Sequence, residues 1–190
     1  MPYIGLRGMK VGKYVNTNGT VSYENVTDVG DAISASMELT IAEGTLWAED
    51  GRAEVMRKAT GGNITLGVKY IMDAAKKLLY GVEEKTRTVG SNQVKSLVTT
   101  AKQQGNYVGF ACYAPDVIDN VEKYTAFFVR KAKFSQPSVS LQTADNSITF
   151  GTPTTTGTFL PDDSTDRAIM EAVTVDTEDA AVAWIAAVLV

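Results

Sequence analysis

Ile33-Ser-Ala-Ser-Met-Glu-Leu-Thr-Ile41 alternates between apolar and polar residues at almost every position. Successive side chains of an extended strand point to opposite faces, so this stretch predicts a strand with one apolar face and one polar face. The same period returns in Asn63-Ile-Thr-Leu-Gly-Val-Lys-Tyr70, where the apolar set is Ile64, Leu66, Val68 and Tyr70. Two half-buried strands are therefore predicted, with their apolar faces turned inward.

Residues 42–62, which join these strands, are rich in glycine and charge. They predict a long loop, and connections beyond about 12–15 residues are usually functional. The loop also carries large apolar side chains, namely Leu46, Trp47, Val55 and Met56. These side chains either pack against another molecule or fold back on the protein's own sheet, and the sequence leaves both open.

Two helices are predicted. Asp73-Ala-Ala-Lys-Lys-Leu-Leu-Tyr-Gly81 has an acidic start and a terminating glycine. Residues 177–189 begin with a capping hydroxyl and acidic residues and then become apolar nearly all round, so this helix needs cover on more than one side.

The remaining strands fall in aromatic, β-branched or threonine-rich stretches: residues 107–114, 124–134, 147–158 and 168–175. A further strand is possible at residues 93–99, within a polar stretch of weak pattern. The predicted fold is mainly β, an antiparallel β-sandwich with a short flanking helix and a C-terminal helix. Residues 1–190 are expected to form a single domain.

Charge and composition exclude several classes of function. The net charge of −4 argues against tight binding to nucleic acid, which needs clustered positive charge. The single cysteine, Cys112, lies in an apolar run and is expected to be a buried hydrophobe. No apolar stretch is long enough to span a bilayer, so the protein is expected to be soluble and made in the cytoplasm.

No catalytic constellation emerges from the sequence. Histidine is absent, which removes the commonest general base and most zinc sites. The segment from Gly8 to Lys13 lacks the spacing and hydroxyl of a phosphate loop. The acidic run from Asp162 to Asp166 lacks the glycine and distal glutamate of a calcium loop, and the pair Glu49-Asp50 has no convergent partners. The chain is therefore predicted not to be an enzyme and to need no cofactor or metal.

Several segments, in order, resemble the major tail proteins of long-tailed bacteriophages of Gram-positive hosts. They are Gly30-Asp-Ala-Ile-Ser-Ala-Ser-Met, Leu46-Trp-Ala-Glu-Asp-Gly-Arg-Ala-Glu54, Gly62-Asn-Ile-Thr-Leu-Gly-Val68, Gly105-Asn-Tyr-Val-Gly-Phe-Ala111 and Phe150-Gly-Thr-Pro-Thr-Thr-Thr-Gly-Thr158. The aromatic stretch ending in Lys133, Phe134 and Pro137 and the terminal stretch to Trp184 extend the similarity.

The resemblance implies a tail-tube fold whose copies form six-membered rings that stack into a hollow conduit for DNA ejection. The implied partners are other copies, the tape measure, terminator and distal tail proteins, with DNA passing through the lumen without specific binding. The implied location is the virion, in the phage tail.

Two sets of residues follow as candidates. The ring-stacking loop would use Leu46, Trp47, Glu49, Asp50, Arg52, Val55 and Met56. The lumen would be lined by the polar faces of the two alternating strands, Ser34, Ser36, Glu38, Thr40, Asn63, Thr65 and Lys69. The acidic excess of the chain is expected to keep phosphates from binding there.

Two alternatives stay open. A monomeric β-sandwich that binds a ligand, as an adhesin or receptor-binding module does, would share the predicted fold. A tail terminator or distal tail ring protein would form one ring and stop.

Overall fold

The computed structural model describes residues 3–48, 51–139, 143 and 151–190. Within them the elements are β1 (Arg7–Thr17), β2 (Thr20–Asp28), β3 (Ala32–Ala48), β4 (Gly51–Val68), α1 (Asp73–Tyr80), β5 (Glu83–Val89), β6 (Asn92–Val98), β7 (Val108–Ile118), β8 (Val121–Phe134), β9 (Thr154–Phe159), β10 (Met170–Val175) and α2 (Glu178–Val188). The predicted fold class is confirmed: the chain is mainly β, antiparallel and sandwich-like, with a short helix and a C-terminal helix.

One sheet of eight strands folds into two halves at β8. Its order is β2-β1-β7-β8-β9-β4-β3, and β10 also pairs with β8. Strand β10 pairs with residues 124–129 of β8, whereas β9 pairs with residues 132–134 of the same strand. We call β2, β1, β7, β10 and most of β8 the helix half. We call β9, β4, β3 and the end of β8 the arm half.

The main core lies between the two halves. Its fully buried side chains come from both, with Met9 and Phe110 on the helix half and Ile64, Leu66 and Phe159 on the arm half. Cys112 is 1% exposed in this core, and burial raises the pKa of its thiol to about 12, as expected for an inert hydrophobe.

A second core lies on the outer face of the helix half, where α2 packs against the sheet. Ala181, Ile185 and Leu189 of the helix segment contact a cluster that includes Ala111 and Phe128. The hydroxyl of Thr177 accepts a hydrogen bond from the N–H of Ala180 at 3.2 Å, which caps the helix as its sequence predicts. At α1, Gly81 ends the helix in the left-handed conformation, with φ of 67°, which glycine adopts without strain.

The prediction of a loop over residues 42–62 is wrong. Strands β3 and β4 stay paired from Ala32↔Val68 out to Ala48↔Gly51, so these residues form a long two-stranded ribbon. We call its outer part, Ala42–Ala48 with Gly51–Lys58, the arm. A ribbon has water on both faces, so it needs no apolar face and accommodates charge and glycine. For that reason its sequence looks like a loop.

The inward faces are only partly as predicted. Ile64, Leu66 and Val68 are fully buried on β4, but Tyr70 lies beyond the strand end and is 48% exposed. On β3 the apolar set is poorly covered, with Ile33, Leu39 and Ile41 each about half exposed. Alternation assigned the faces of β3 correctly, but only the middle of its apolar face, Ala35 and Met37, packs against the core.

Strands β5 and β6 form a separate two-stranded hairpin where the sequence pattern is weak. Nearly all of its side chains are exposed. Glu84 holds the base of the hairpin to α1 by accepting hydrogen bonds from Lys77 and Lys95, which lower the pKa of its carboxyl to about 2.

Gly62 marks the place where the arm leaves the sandwich, and it tolerates no side chain. A Cβ there would lie 2.1 Å from the carbonyl oxygen of Glu38 and 2.3 Å from the ring of Phe159. We expect Gly62→Ala to lower the free energy of unfolding by about 1–3 kcal/mol, because overpacking forces the backbone and ring to shift. Gly44→Ala is the matched control, since a Cβ at Gly44 meets nothing within 4 Å. Urea unfolding of both variants checks the prediction, and equal midpoints would contradict it.

Candidate assembly surfaces

The polar face of the arm half brings together six of the seven predicted lumen residues. Ser36 pairs with Thr65, and Glu38 pairs with Asn63, so these side chains share one face of β3 and β4. Ser34 and Thr40 lie on the same side of β3, because they are separated from Ser36 and Glu38 by two residues. The seventh residue, Lys69, lies after β4 ends, and its ammonium is 3.8 Å from the carboxylate of Asp31.

The structure adds a row of threonines that the prediction missed. Thr154, Thr156 and Thr158 of β9 are exposed and continue the polar face beside β4, with Thr65↔Thr156 and Asn63↔Thr158 as pairs. Thr154, Thr156 and Thr158 are spaced two residues apart, which places them on one face of a strand, but the sequence does not tell which strand lies beside β4. The face is therefore wider than predicted and rich in hydroxyl groups.

Charge on this face is balanced rather than acidic. Lys133 of β8 pairs with Thr158, so the row Glu38, Asn63, Thr158, Lys133 ends in a cation. The ammonium of Lys133 also lies 5.2 Å from the centroid of the Tyr107 ring, where a cation–π contact holds it. The acidic excess expected for this face is not concentrated on its described residues.

An ion pair lies at the side of the polar face that β8 forms. The ammonium of Lys131 lies 2.7 Å from a carboxylate oxygen of Asp163, and the hydroxyl of Tyr14 donates to the same oxygen at 3.0 Å. The hydrogen bond from Lys131 and, to a smaller extent, the one from Tyr14 lower the pKa of the Asp163 carboxyl. The pair fixes the loop after β9 against the edge of the face.

The arm presents apolar side chains to water. Leu46 is 60% exposed and Met56 is 73% exposed. Leu46 is opposite Glu54 and Met56 is opposite Gly44, so both point to one face of the ribbon as diagonal neighbours. Val55 lies on the opposite face and is 41% exposed, near the ion pair in which Arg57 donates to Glu43 at 2.8 Å.

The other predicted stacking residues are less fully described. Trp47 and Arg52 face one another in the backbone register of β3 and β4 near the tip of the arm. Glu49 and Asp50 lie outside the described residues. The structure thus places Leu46 and Met56 on one face of the arm and Val55 on the other, as members of paired strands rather than of a loop.

Strand β3 is a long open edge. In the described part of the chain it pairs with β4 alone, over a strand of 17 residues that contains no lysine, arginine or proline. Native edges are commonly protected by such residues or by bulges. The opposite edge, β2, has a bulge near Asn25, whose φ is 54°. The β3–β4 register also shifts at three places, but it is regular from Ser34 to Thr40. That regular stretch of β3 is an edge on which another strand can pair.

The residues of the weak chemical motifs lie in a strand or form ion pairs within the fold. The segment from Gly8 to Lys13 lies inside β1, and Lys10 pairs with Asp28 at 2.9 Å. Asp162 is engaged by Arg130 and Asp163 by Lys131. Within the described residues there is no group of three His, Cys, Asp or Glu side chains that could hold a metal ion. No helix in that part of the chain is long and apolar enough to cross a membrane.

Comparison with known proteins adds no family. No protein-family model matches the chain, and a search of curated proteins finds no match. The surfaces above are therefore the basis for a functional proposal.

Proposed function

We propose that this chain is the repeating structural subunit of a bacteriophage tail tube. In the proposal, copies form six-membered rings, and the rings stack into a hollow conduit through which DNA is ejected. The observation that carries it is the arm, a two-stranded ribbon that extends past the sandwich and exposes Leu46 and Met56. A ribbon with no core of its own gains stability by lying against a partner.

A tube needs two different kinds of contact on one chain. A head-to-tail contact that closes makes a ring, and a second contact that does not close stacks rings into a filament. The open edge of β3 and the arm supply two such surfaces, because the edge is part of the sandwich while the arm projects beyond it.

The polar face supports the conduit. It spans four strands, β3, β4, β9 and the end of β8. Six copies give about 24 strands, and at ~4.8 Å spacing and ~45° tilt these close into a barrel of about 50 Å backbone diameter. Neutral hydroxyl groups on such a wall bind phosphates weakly, which suits passage of DNA without specific contacts.

The rest of the proposal concerns partners and location. The subunit would have no enzymatic activity and no cofactor. Its partners would be its own copies together with tape measure, terminator and distal tail proteins, and it would reside in the phage tail of the virion.

Negative-stain electron microscopy of the purified protein over a range of concentration tests the proposal, with and without a tail initiation complex. Hollow tubes of stacked rings are expected. Monomers under every condition would overturn the proposal in favour of a ligand-binding sandwich, and rings that never stack would favour a terminator or distal ring protein.

The polar face gives a prediction for DNA. Changing Ser36 and Glu38 together to lysine should slow DNA ejection. Every subunit would then add cations to the lumen wall, and these cations attract the DNA phosphates. Ejection rates of phage assembled with the variant would measure this, and the slowing should shrink at higher salt. Val121→Lys adds a cation at a position on the helix half that is 54% exposed and lies outside the polar face and the arm, and it is the control. Unchanged ejection in the double variant would remove this face from the lumen.

A further inference from the structure

An apolar cleft opens between the two halves of the sandwich. It has a volume of about 460 Å³ and is lined by residues that include Tyr3, Leu6, Ile33, Met37, Phe127 and Met170. None of the described residues that line it is charged. Tyr3 and Ile33 at its mouth are 54% and 52% exposed, so about half of each large side chain lies in water.

The cleft continues into the exposed apolar row of β3. Leu39 and Ile41 follow Ile33 on the same side of the strand and are 47% and 58% exposed. From Ile33 to Ile41 the row is about 27 Å long at ~3.4 Å per residue. At its outer end the same side of β3 continues into the arm face that carries Val55 and the Glu43–Arg57 ion pair, whereas Leu46 and Met56 lie on the other face of the arm.

A second unpartnered surface lies on α2. The side of the helix turned away from the sheet exposes Ala180, Val182, Ala183, Ala186, Ala187 and Val190. From Ala180 to Val190 the chain has no charged or polar residue except the indole of Trp184. The face is about 16 Å long at ~1.5 Å per residue, short enough to lie along the apolar row of β3.

We infer that the outer face of α2 of one copy packs on the cleft and the apolar row of β3 of the next copy. The two surfaces match in that both lack charge and the α2 face is short enough to lie along the row. A charged partner would lose its hydration in the cleft without gaining an opposite charge, so the partner must be uncharged. Among the described surfaces, the arm and the β5–β6 hairpin carry charges beside their apolar residues, such as Glu54, Lys58 and Arg87, whereas the α2 face carries none.

The position of the two surfaces requires two copies. Phe127 of β8 faces the cleft, whereas its neighbour Phe128 faces α2, so the cleft and the helix lie on opposite sides of the helix half. One chain cannot bring its own α2 into its own cleft. The contact is therefore head to tail, with a different surface on each partner. The alanines of α2 also permit the close approach that a narrow cleft demands.

This inference deepens the proposed function and rests on it for the ring, since the two surfaces by themselves specify only a head-to-tail contact. The test uses one glutamate on each surface, both at exposed positions. Ala186→Glu changes the helix face, and Ile33→Glu changes the cleft. Val121→Glu is the matched control, because Val121 is 54% exposed and lines neither surface.

Sedimentation velocity measures association. The wild type and Val121→Glu should associate alike, and each of the other variants should need about a 100-fold higher concentration, because a buried glutamate without a counter-charge costs several kcal/mol. A 1:1 mixture of Ala186→Glu and Ile33→Glu should form a dimer that neither forms alone. In that dimer the intact cleft of the first variant accepts the intact helix of the second.

Three results would overturn the inference: a wild type that stays monomeric, a mixture that associates no better than its components, or loss of association in Ala186→Glu alone. The last would mean that α2 meets α2. The proposed function fails separately. Hollow tubes from the wild type and both variants would reject this contact and keep the tube, whereas a dimer in the mixture without wild-type tubes would keep the contact and reject the tube.

Discussion

Replacing residues 42–58 by Asn-Gly should leave a folded domain that no longer stacks. Ile41 and Ala59 are opposite one another in the register, so a two-residue turn joins them without changing the pairing of β3 and β4 below. The core is untouched, because none of the arm's described side chains belongs to it. Circular dichroism should match the wild type, and electron microscopy should show no tubes.

A second variant separates the arm's side chains from its backbone. Leu46→Ser with Met56→Ser keeps the ribbon and removes its two most exposed apolar groups, each worth roughly 1–2 kcal/mol when buried at a contact. The concentration needed for tube formation should rise about 30- to 1,000-fold. Thr60→Ser, a small polar change at the base of the ribbon, should leave it unchanged. Tubes of normal ring spacing from the shortened variant would exclude the arm from stacking.

The arm also shows where sequence reasoning stops. Alternation identified the buried parts of β3 and β4, because one face of each packs on a core. Beyond Gly62 neither face is buried, so selection for alternation ends and the pairing Glu43↔Arg57 leaves no periodic signal. For the same reason β5 was not predicted, whereas the strand proposed at residues 93–99 corresponds to β6.

The order of the strands in the sheet was the other feature that could not be predicted from the sequence. The sequence correctly predicts that Ser34, Ser36 and Glu38 share a face, since that follows from a period of two. It does not reveal that β9 lies beside β4, because that neighbour is set by the fold of the whole chain. Thr156 and Thr158 thus became part of the face only in the structure.

For helix α2 the sequence predicts that several sides must be covered, but it does not predict what covers each side. An apolar helix requires cover on several sides, and the structure covers the side that carries Ala181 and Ile185. The side that carries Ala183 and Ala186 is left exposed. The sequence alone does not tell whether these two sides of α2 are covered by the same chain or by different chains.

The second large effect concerns stability. Arg130→Met should lower the free energy of unfolding by about 3 kcal/mol, because it leaves a buried carboxylate without its cation. The guanidinium of Arg130 donates to Asp162 at 2.7 Å and to Glu171 at 2.6 Å, and the side chain of Asp162 is fully buried. Asp162 also accepts from the hydroxyl of Ser164 at 2.6 Å, so the network joins β8, β10 and the loop between β9 and β10. Guanidinium chloride unfolding at pH 7 measures the loss.

Two variants control this result. Arg57→Met removes the exposed pair with Glu43 on the arm and should change stability by less than about 1 kcal/mol. Arg130→Met combined with Asp162→Asn removes the stranded charge together with its partner, so it should be more stable than Arg130→Met alone. Equal losses in the single and double variants would mean that packing, rather than charge, accounts for the effect.

The pH dependence has a definite sign. Burial alone would raise the pKa of the Asp162 carboxyl, but hydrogen bonds from Ser164 and Arg130 outweigh it and lower the pKa. The wild type therefore gains stability from this group above the unfolded pKa, near 3.9, and loses it as the pH falls through the lower folded value. In Arg130→Met the hydrogen bond and the positive charge of the guanidinium are gone, so the carboxyl becomes easier to protonate. The stability difference between the two proteins should thus be largest at neutral pH and shrink below about pH 4. A constant difference from pH 7 to pH 3 would show that the Asp162 charge does not cause the loss.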